Sequence, residues 1–253
     1  MHMHEFQAKE LLASHEIEVP RGRVADNAAD AERIARRFGA DRFVVKAQVL
    51  SGDRETAGGV RFAATPEGVR QTADTLLGRM LVTPHTGPGG EKVRWVYVEE
   101  AVDAIKLFYA AVSLDRTCGA LVTLASNVGG GDLEQRSKHD PGLIKRIPLR
   151  IADGEAAGDF DGLAALLGLS GAAAEGAARV FKRLGRIAVR LDATLDDAPD
   201  SEAAQDTVAD LRTAVREADP DALVGGGAGG WTGLGADRRD QGQRFAWSRQ
   251  VRP

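Results

Sequence analysis

The stretch that decides the fold runs from residue 44 to residue 60 and reads VVKAQVLSGDRETAGGV. It begins as an apolar strand, turns at Ser51-Gly52, and closes on two glycines before a second strand starts at Val60. Side chains alternate between the two faces of a strand, so Lys46 can reach into a cleft while the valines beside it pack in a core.

The loop after this strand has the composition of a phosphate cradle. Glycine lets backbone N–H groups come close to phosphate oxygens, and the forked guanidinium of Arg54 suits phosphate geometry. A plain surface hairpin has the same composition, so the loop alone leaves that alternative open. Asp53 and Glu55 flank the arginine and oppose an anionic ligand. One carboxylate about 5 Å from a phosphate charge costs about 3 kcal/mol at an effective dielectric near 20, so the two acids together predict an affinity weakened by a few orders of magnitude.

Composition excludes several other classes of protein. A chain of 253 residues with 43% apolar content is long enough for one large domain or two modest ones. Its net charge of −4 argues against a nucleic-acid partner, and the absence of a long apolar run argues against a membrane span. The single cysteine, Cys118, and the lack of an apolar N-terminal signal favour the cytoplasm. The five histidines are scattered, which argues against a zinc site.

Helical and strand patterns are interleaved along the first 190 residues, which predicts an α/β or α+β fold. The predicted helices cover residues 4–15, 29–38, 65–80, 160–167 and 171–191. The predicted strands cover residues 43–49, 60–63, 93–99, 107–114, 120–125 and 144–149. The first helix is expected to place Phe6, Ala8, Leu11 and Leu12 on one face.

The character of the chain changes after Leu195. An acidic segment can form one amphipathic helix around Val208, Leu211 and Val215. Glycine- and arginine-rich sequence without periodicity follows, and such composition buries little apolar surface. Residues 196–253 are therefore predicted to form a poorly ordered tail.

Several motifs together resemble one enzyme family. MHEFQAKELL at 3–12, the hairpin at 44–60, LLGRMLVTPHTGPGG at 76–90, VYVEEAVD at 96–103 and ASNVGGGDLE at 125–134 are similar to segments of succinyl-CoA synthetase beta subunits. The related malate–CoA ligase beta subunits are an equally good match around HTGPGGEKVRWVYVE. The motifs occur in family order over residues 1–195.

The resemblance implies an ATP-grasp fold with two lobes, at about residues 1–100 and 101–195. Family members make an acyl-CoA from a dicarboxylic acid and CoA, driven by ATP or GTP with magnesium. The phosphate passes through a histidine of a partner alpha subunit, so no catalytic residue is expected in this chain.

The same resemblance assigns the nucleotide-binding residues. Lys46 matches the nucleotide-binding lysine, and Gly52, Arg54 and Gly58 fall in the phosphate loop. Glu99 and the backbone at Val102 match the hinge positions that meet the adenine or its neighbours. A solvated strand end is the alternative for Glu99.

The sequence departs from the family pattern at four places. The family loop reads like GGRGKAGG, whereas this chain has GDRETAGG, and Leu107 stands where the family has a glutamate that contacts nucleotide. The family strand EINPL and the following aspartate, which supply magnesium ligands, have no counterpart. Asp196, Asp197 and Asp200 are interpreted as solvated charges, so no metal ligand is assigned. No segment of this sequence matches the family's C-terminal CoA-ligase domain. Two explanations are open: a reading frame lost near residue 195, or a diverged and shortened paralogue.

Three functions follow from these observations. The first is the ATP-grasp subunit of an ADP-forming acid–CoA ligase, which works with an alpha subunit. The second is a catalytically incompetent grasp module that acts as a binding partner. The third is a non-functional fragment.

Overall fold

The computed structural model describes residues 3–102, 104, 106–115, 117, 119–130, 133–152, 155–190 and 214–215, apart from the side chains of residues 134, 135, 214 and 215. The helices are α1 (Glu5–Ser14), α2 (Ala28–Phe38), α3 (Pro66–Leu76), α4 (Leu133–His139), α5 (Phe160–Leu166) and α6 (Gly171–Arg190). The strands of the first half are β1 (Gly22–Ala25), β2 (Phe43–Gln48), β3 (Val60–Ala63), β4 (Met80–Leu81), β5 (Glu91–Lys92) and β6 (Trp95–Glu100). The later strands are β7 (Lys106–Leu107), β8 (Tyr109–Asp115), β9 (Ala120–Ser126), β10 (Lys145–Pro148), β11 (Arg150–Ala152), β12 (Glu155–Ala157) and β13 (Ala214–Val215). The predicted mixed α/β class is confirmed.

The first sheet has the strand order β1-β6-β2-β3, and each pair of neighbours is antiparallel. Helices α2 and α3 pack on one face through a core of aliphatic residues and Phe43. This first core comprises Ala25, Ala31, Ile34, Ala35, Phe43, Val45, Ala47, Val49, Val69, Ala73, Leu76, Leu81, Val93, Val96 and Val98. The alternation predicted for β2 is confirmed, because Val45, Ala47 and Val49 all belong to this core.

The ends of α2 and α3 follow local sequence signals. The Asn27 side chain accepts a hydrogen bond from the backbone N–H of Asp30, and α2 is capped at its C-terminus by Gly39, which has a left-handed φ of 61°. The Thr65 side chain accepts from the N–H of Gly68 at 3.0 Å, and a proline opens α3.

One helix end was predicted wrongly. The helical spacing extended α3 to Met80, but the helix ends at Leu76 and Met80 lies in β4. Gly78 adopts a φ of 78° and its N–H donates to Val93 O, so the chain leaves the helix and pairs with the segment ahead of β6. The sequence patterns also missed β1, β5, α4 and the pair β11 and β12.

A second sheet, with order β10-β9-β8, packs against α5 and α6. This second core comprises Leu12, Ile17, Phe108, Ala110, Val112, Ala125, Leu149, Ala156, Leu163, Ala164, Leu167, Ala177, Phe181, Leu184 and Ile187. Two of its members, Leu12 and Ile17, come from α1 and the turn after it, so the N-terminal helix completes a core built mainly from later sequence.

Among residues 196–253 the structure describes only Ala214 and Val215, which form β13 and pair with β7. The acidic helix predicted around Val208, Leu211 and Val215 is therefore wrong at Val215, and its other two positions lie outside the described residues. The predicted poor order of the tail also concerns residues outside that part of the chain. None of the described helices is both long and apolar enough to cross a membrane.

Candidate functional site

Helix α1 lies against part of the face of the first sheet opposite α2 and α3. Lys46 on β2 pairs in register with Tyr97 on β6, and Val44 pairs with Glu99, so the lysine and the glutamate project from the same face. The buried residues of α1 include Glu5, whose side chain is directed at this face. The N–H of Phe6 donates to the side-chain oxygen of Gln48, which also holds the helix on the sheet.

Five charged side chains meet between α1 and the sheet, and we call them the charged cluster: Glu5, Lys9, Lys46, Arg54 and Glu99. Lys46 Nζ donates to Glu5 Oε1 at 2.8 Å and to Glu99 Oε1 at 3.1 Å. Lys9 Nζ lies 3.0 Å from Glu5 Oε1 and donates to Glu99 Oε2. Three cations face two carboxylates, so the cluster carries an excess of one positive charge.

Arg54 enters the cluster from the hairpin loop between β2 and β3. Its side chain is only 8% exposed. Nη1 donates to the backbone oxygen of Ala47 at 3.2 Å, and Nη2 lies 3.1 Å from Glu5 Oε2. The loop arginine and the strand lysine therefore share one carboxylate, that of Glu5.

Burial and the neighbouring charges shift the pKa values of Glu5 and Lys46 in opposite directions. Burial alone would raise the pKa of Glu5, but the positive charges of Lys46, Lys9 and Arg54 outweigh it and hold that pKa well below its ordinary value. Burial would lower the pKa of Lys46, but the carboxylates of Glu5 and Glu99 raise it above its ordinary value. Both side chains are therefore charged near neutral pH.

The hairpin loop is held by its own backbone. The N–H groups of Ala57, Gly58 and Gly59 donate to the backbone oxygens of Asp53, Glu55 and Arg54, respectively. Gly58 has a φ of 74°, and a Cβ on Gly59 would lie 2.8 Å from a Leu81 methyl carbon and 3.0 Å from Arg54 O.

Asp53 stands where the family pattern has a glycine, and it keeps a left-handed φ of 56°. Aspartate tolerates this conformation better than most residues. Its carboxylate lies 3.3 Å from His85 Nε2. Asp53, Glu55 and Thr56 are exposed, whereas Arg54 between them turns inward.

The structure brings Lys46, Arg54 and Glu99 together, and only 7% of the Glu99 side chain is exposed. The solvated strand end considered for Glu99 is therefore wrong. Gly52 and Gly58 lie on either side of Arg54 in the same loop. Val102 lies beyond the end of β6, where it is 40% exposed and its carbonyl accepts from the N–H of Ala104.

Leu107 is 43% exposed in β7. Gly129 packs closely on it, since a Cβ there would lie 2.8 Å from Leu107 Cβ. An apolar side chain thus occupies the position where the family pattern has a hydrogen-bonding glutamate.

Sequence reasoning missed Glu5 and Lys9, although their spacing of four residues on α1 was a signal for an ion pair. The expected apolar face of α1 was only partly right, because its buried residues are Glu5, Ala8 and Leu12. A glutamate on the buried side of a helix requires a partner, and that requirement could have pointed to Lys46.

Within the described residues, no group of three or more histidine, cysteine, aspartate or glutamate side chains could hold a metal ion. Asp196, Asp197 and Asp200 lie outside that part of the chain.

The family model and the curated relatives that match this chain agree with each other. A family model described as an ATP-grasp domain matches residues 2–197. The succinate–CoA ligase [ADP-forming] subunit beta of Geobacter sulfurreducens is 38% identical over 195 residues, which cover 77% of this chain and 50% of that protein. The same-named subunit of Anaeromyxobacter dehalogenans strain 2CP-C is 40% identical over an alignment with the same coverage. The chain spans about half the length of these relatives.

Solved structures show the same fold at lower sequence identity. PH1788 from Pyrococcus horikoshii Ot3 superimposes with a TM-score of 0.56 at 17% identity and covers 75% of this chain and 78% of its own. A dinucleotide-forming acetyl-coenzyme A synthetase 1 of Ca. Korarchaeum cryptofilum gives a TM-score of 0.53 at 18% identity, covering 74% of this chain and 80% of its own. At these identities the likeness concerns the fold alone.

Proposed function

This chain belongs to the ATP-grasp domain family, and we propose that it binds the phosphates of ATP at the charged cluster. Lys46 and Arg54 would contact the phosphates, with Gly52 and Gly58 shaping the loop. Glu99 and the backbone at Val102 would meet the base or ribose.

The observation that carries this proposal is the convergence of Lys46 and Arg54 on one small anion. Their nitrogens lie 2.8 Å and 3.1 Å from the two oxygens of the same carboxylate. Cations held in this way by a strand and a loop suit phosphate, which prefers charge-assisted donors from several directions.

At the level of the whole protein, we propose the nucleotide-binding part of the beta subunit of an ADP-forming dicarboxylic acid–CoA ligase. The relatives named succinate–CoA ligase [ADP-forming] subunit beta support this proposal. Succinate or malate would be the acid, and an alpha subunit would be the partner. GTP is the alternative nucleotide. The described residues contain no group of three or more acidic, histidine or cysteine side chains that could hold magnesium, so no step is assigned to it.

Specific observations favour a second candidate, a grasp module without ligase activity. Three loop amides are hydrogen-bonded within the loop, and Leu107 offers no acceptor to a ribose. A module of this kind would bind nucleotide weakly or not at all while retaining its fold.

Isothermal titration calorimetry with ATP, with and without magnesium, separates the two candidates. The ligase-subunit proposal expects micromolar binding that is lost in a Lys46→Met variant, because methionine keeps the apolar stem and removes the ammonium group. Circular dichroism establishes that both proteins are folded. Absence of heat up to millimolar ATP from a folded wild-type protein would contradict the proposal and favour the inactive module.

A further inference from the structure

We propose that Glu5 sets the affinity of the charged cluster for phosphate, because its carboxylate occupies the position between Lys46 and Arg54 that a ligand phosphate would otherwise take. The inference rests on the proposed function, since it concerns the same phosphate site. It assigns a specific role to a residue of α1, the helix that also contributes Lys9 to the cluster.

The geometry supports substitution of one anion by the other. Glu5 presents one oxygen to Lys46 at 2.8 Å and the second to Arg54 at 3.1 Å. A phosphate group can offer two oxygens to two cations in the same manner. Both anions cannot occupy this position together, so a bound phosphate requires the carboxylate to move.

Of the two contacts that Glu5 makes with Lys46 and Arg54, the one with Arg54 is the weaker. Glu5 Oε2 is buried and accepts no hydrogen bond within the described part of the chain, although Arg54 Nη2 lies at ion-pair distance. The side chains of Lys46 and Lys9 are 18% and 13% exposed, whereas that of Glu5 is 7% exposed. The two lysines are therefore more exposed than the carboxylate that pairs with them.

Lys9 gives the displaced carboxylate another partner. It lies on the same helix, four residues after Glu5, with Nζ 3.0 Å from Glu5 Oε1. Glu5 can thus leave Lys46 and Arg54 without becoming an unpaired buried charge, which would be costly.

The test compares Glu5→Gln with the wild-type protein, using inorganic tripolyphosphate and ATP as probes in calorimetric titrations. Glutamine has nearly the same shape as glutamate but lacks its charge. Because glutamine removes the negative charge that competes with phosphate for Lys46 and Arg54, we expect the dissociation constants for both probes to fall roughly tenfold or more. Glu10→Gln, the same substitution on the same helix, is the matched control and should bind as the wild type does.

The outcomes separate the two proposals. A folded Glu5→Gln protein that binds both probes no more tightly than a wild-type protein that does bind ATP would overturn the role of Glu5 alone. A purely structural glutamate would give weaker binding, because Lys46 and Arg54 would lose their common partner. If wild type and variant are folded and neither binds either probe, both proposals are wrong.

A second variant covers the case in which Glu5→Gln does not fold. Glu5→Asp keeps the charge and draws it back from Lys46 and Arg54 by one methylene. We expect it to bind tripolyphosphate more tightly than the wild type, by a smaller factor. A folded Glu5→Asp protein with unchanged or weaker binding would also overturn the inference.

Discussion

Replacement of Lys46 by methionine tests how much the charged cluster contributes to stability. Lys46 Nζ lies 2.8 Å from Glu5 and 3.1 Å from Glu99, and both carboxylates are about 7% exposed. At about 3 Å and an effective dielectric of about 20, each attraction is on the order of 5 kcal/mol, and the cost of burying the ammonium offsets much of it.

Removal of one partner from a buried ion pair typically costs about 3 to 5 kcal/mol, because the other charge stays buried. Here Lys9 and Arg54 remain beside the carboxylates, so we expect Lys46→Met to lower the free energy of unfolding by about 3 kcal/mol, at the lower end of that range. For a protein of this size, about 3 kcal/mol corresponds to a fall in Tm of roughly 6 to 12 °C.

Urea unfolding followed by circular dichroism measures the effect, with Arg33→Met as the control. Arg33 pairs with Asp30 at 2.8 Å, but their side chains are 59% and 41% exposed. Water screens such a pair, so its loss should change the free energy of unfolding by less than about 1 kcal/mol. Equal and small losses in the two variants would refute the assignment of stabilising energy to the buried cluster.

Three further predictions concern individual contacts. Stability should fall as pH rises above about 10, because the folded protein holds the pKa of Lys46 above its ordinary 10.5 and burial holds the pKa of Tyr97 above 10.0, so the unfolded chain loses these protons first. A urea midpoint that stays constant from pH 8 to pH 11 would contradict this. Gly22→Ala should lower the free energy of unfolding by about 1 to 3 kcal/mol in urea titrations, because the new Cβ would lie 2.2 Å from Tyr97 Cζ; an unchanged midpoint would mean that the ring moves aside at no cost. Thr65→Ala should cost about 1 kcal/mol, since the threonine oxygen caps α3 by accepting from the N–H of Gly68 at 3.0 Å, while Thr65→Ser should retain most of the stability. Equal stability of the alanine and serine variants would argue against the cap.

Much of the first half of the fold could be predicted because its signals are local. Thr65-Pro66 marked the start of α3, Gly39 marked the end of α2, and the valines marked β2. Met80 was misplaced because helical spacing continues past the true end of α3. The helix ends because the chain around Gly78 pairs with Val93. This contact joins residues far apart in the sequence, so local spacing does not predict it.

The residues of the candidate site that are close in sequence could be predicted, and those that depend on distant packing could not. Lys46 and Arg54 belong to one hairpin, so the sequence displays them together. Glu5 is separated from Lys46 by 41 residues, and its role depends on how α1 packs against the sheet. The sequence pattern of α1 shows which apolar residues share a face, but it does not show that the Glu5 carboxylate is buried.

The position of α1 has a consequence for the order of events during synthesis. Leu12 and Ile17 belong to the second core, and Glu16 is bound to Arg183, 167 residues later in the chain. At translation rates of roughly 5 to 20 residues per second, the N-terminal helix waits about 8 to 30 seconds before its partners on α6 have been made. Until then Leu12 and Ile17 lack the α6 part of their core, so the nascent chain should be a substrate for chaperones that bind exposed apolar segments.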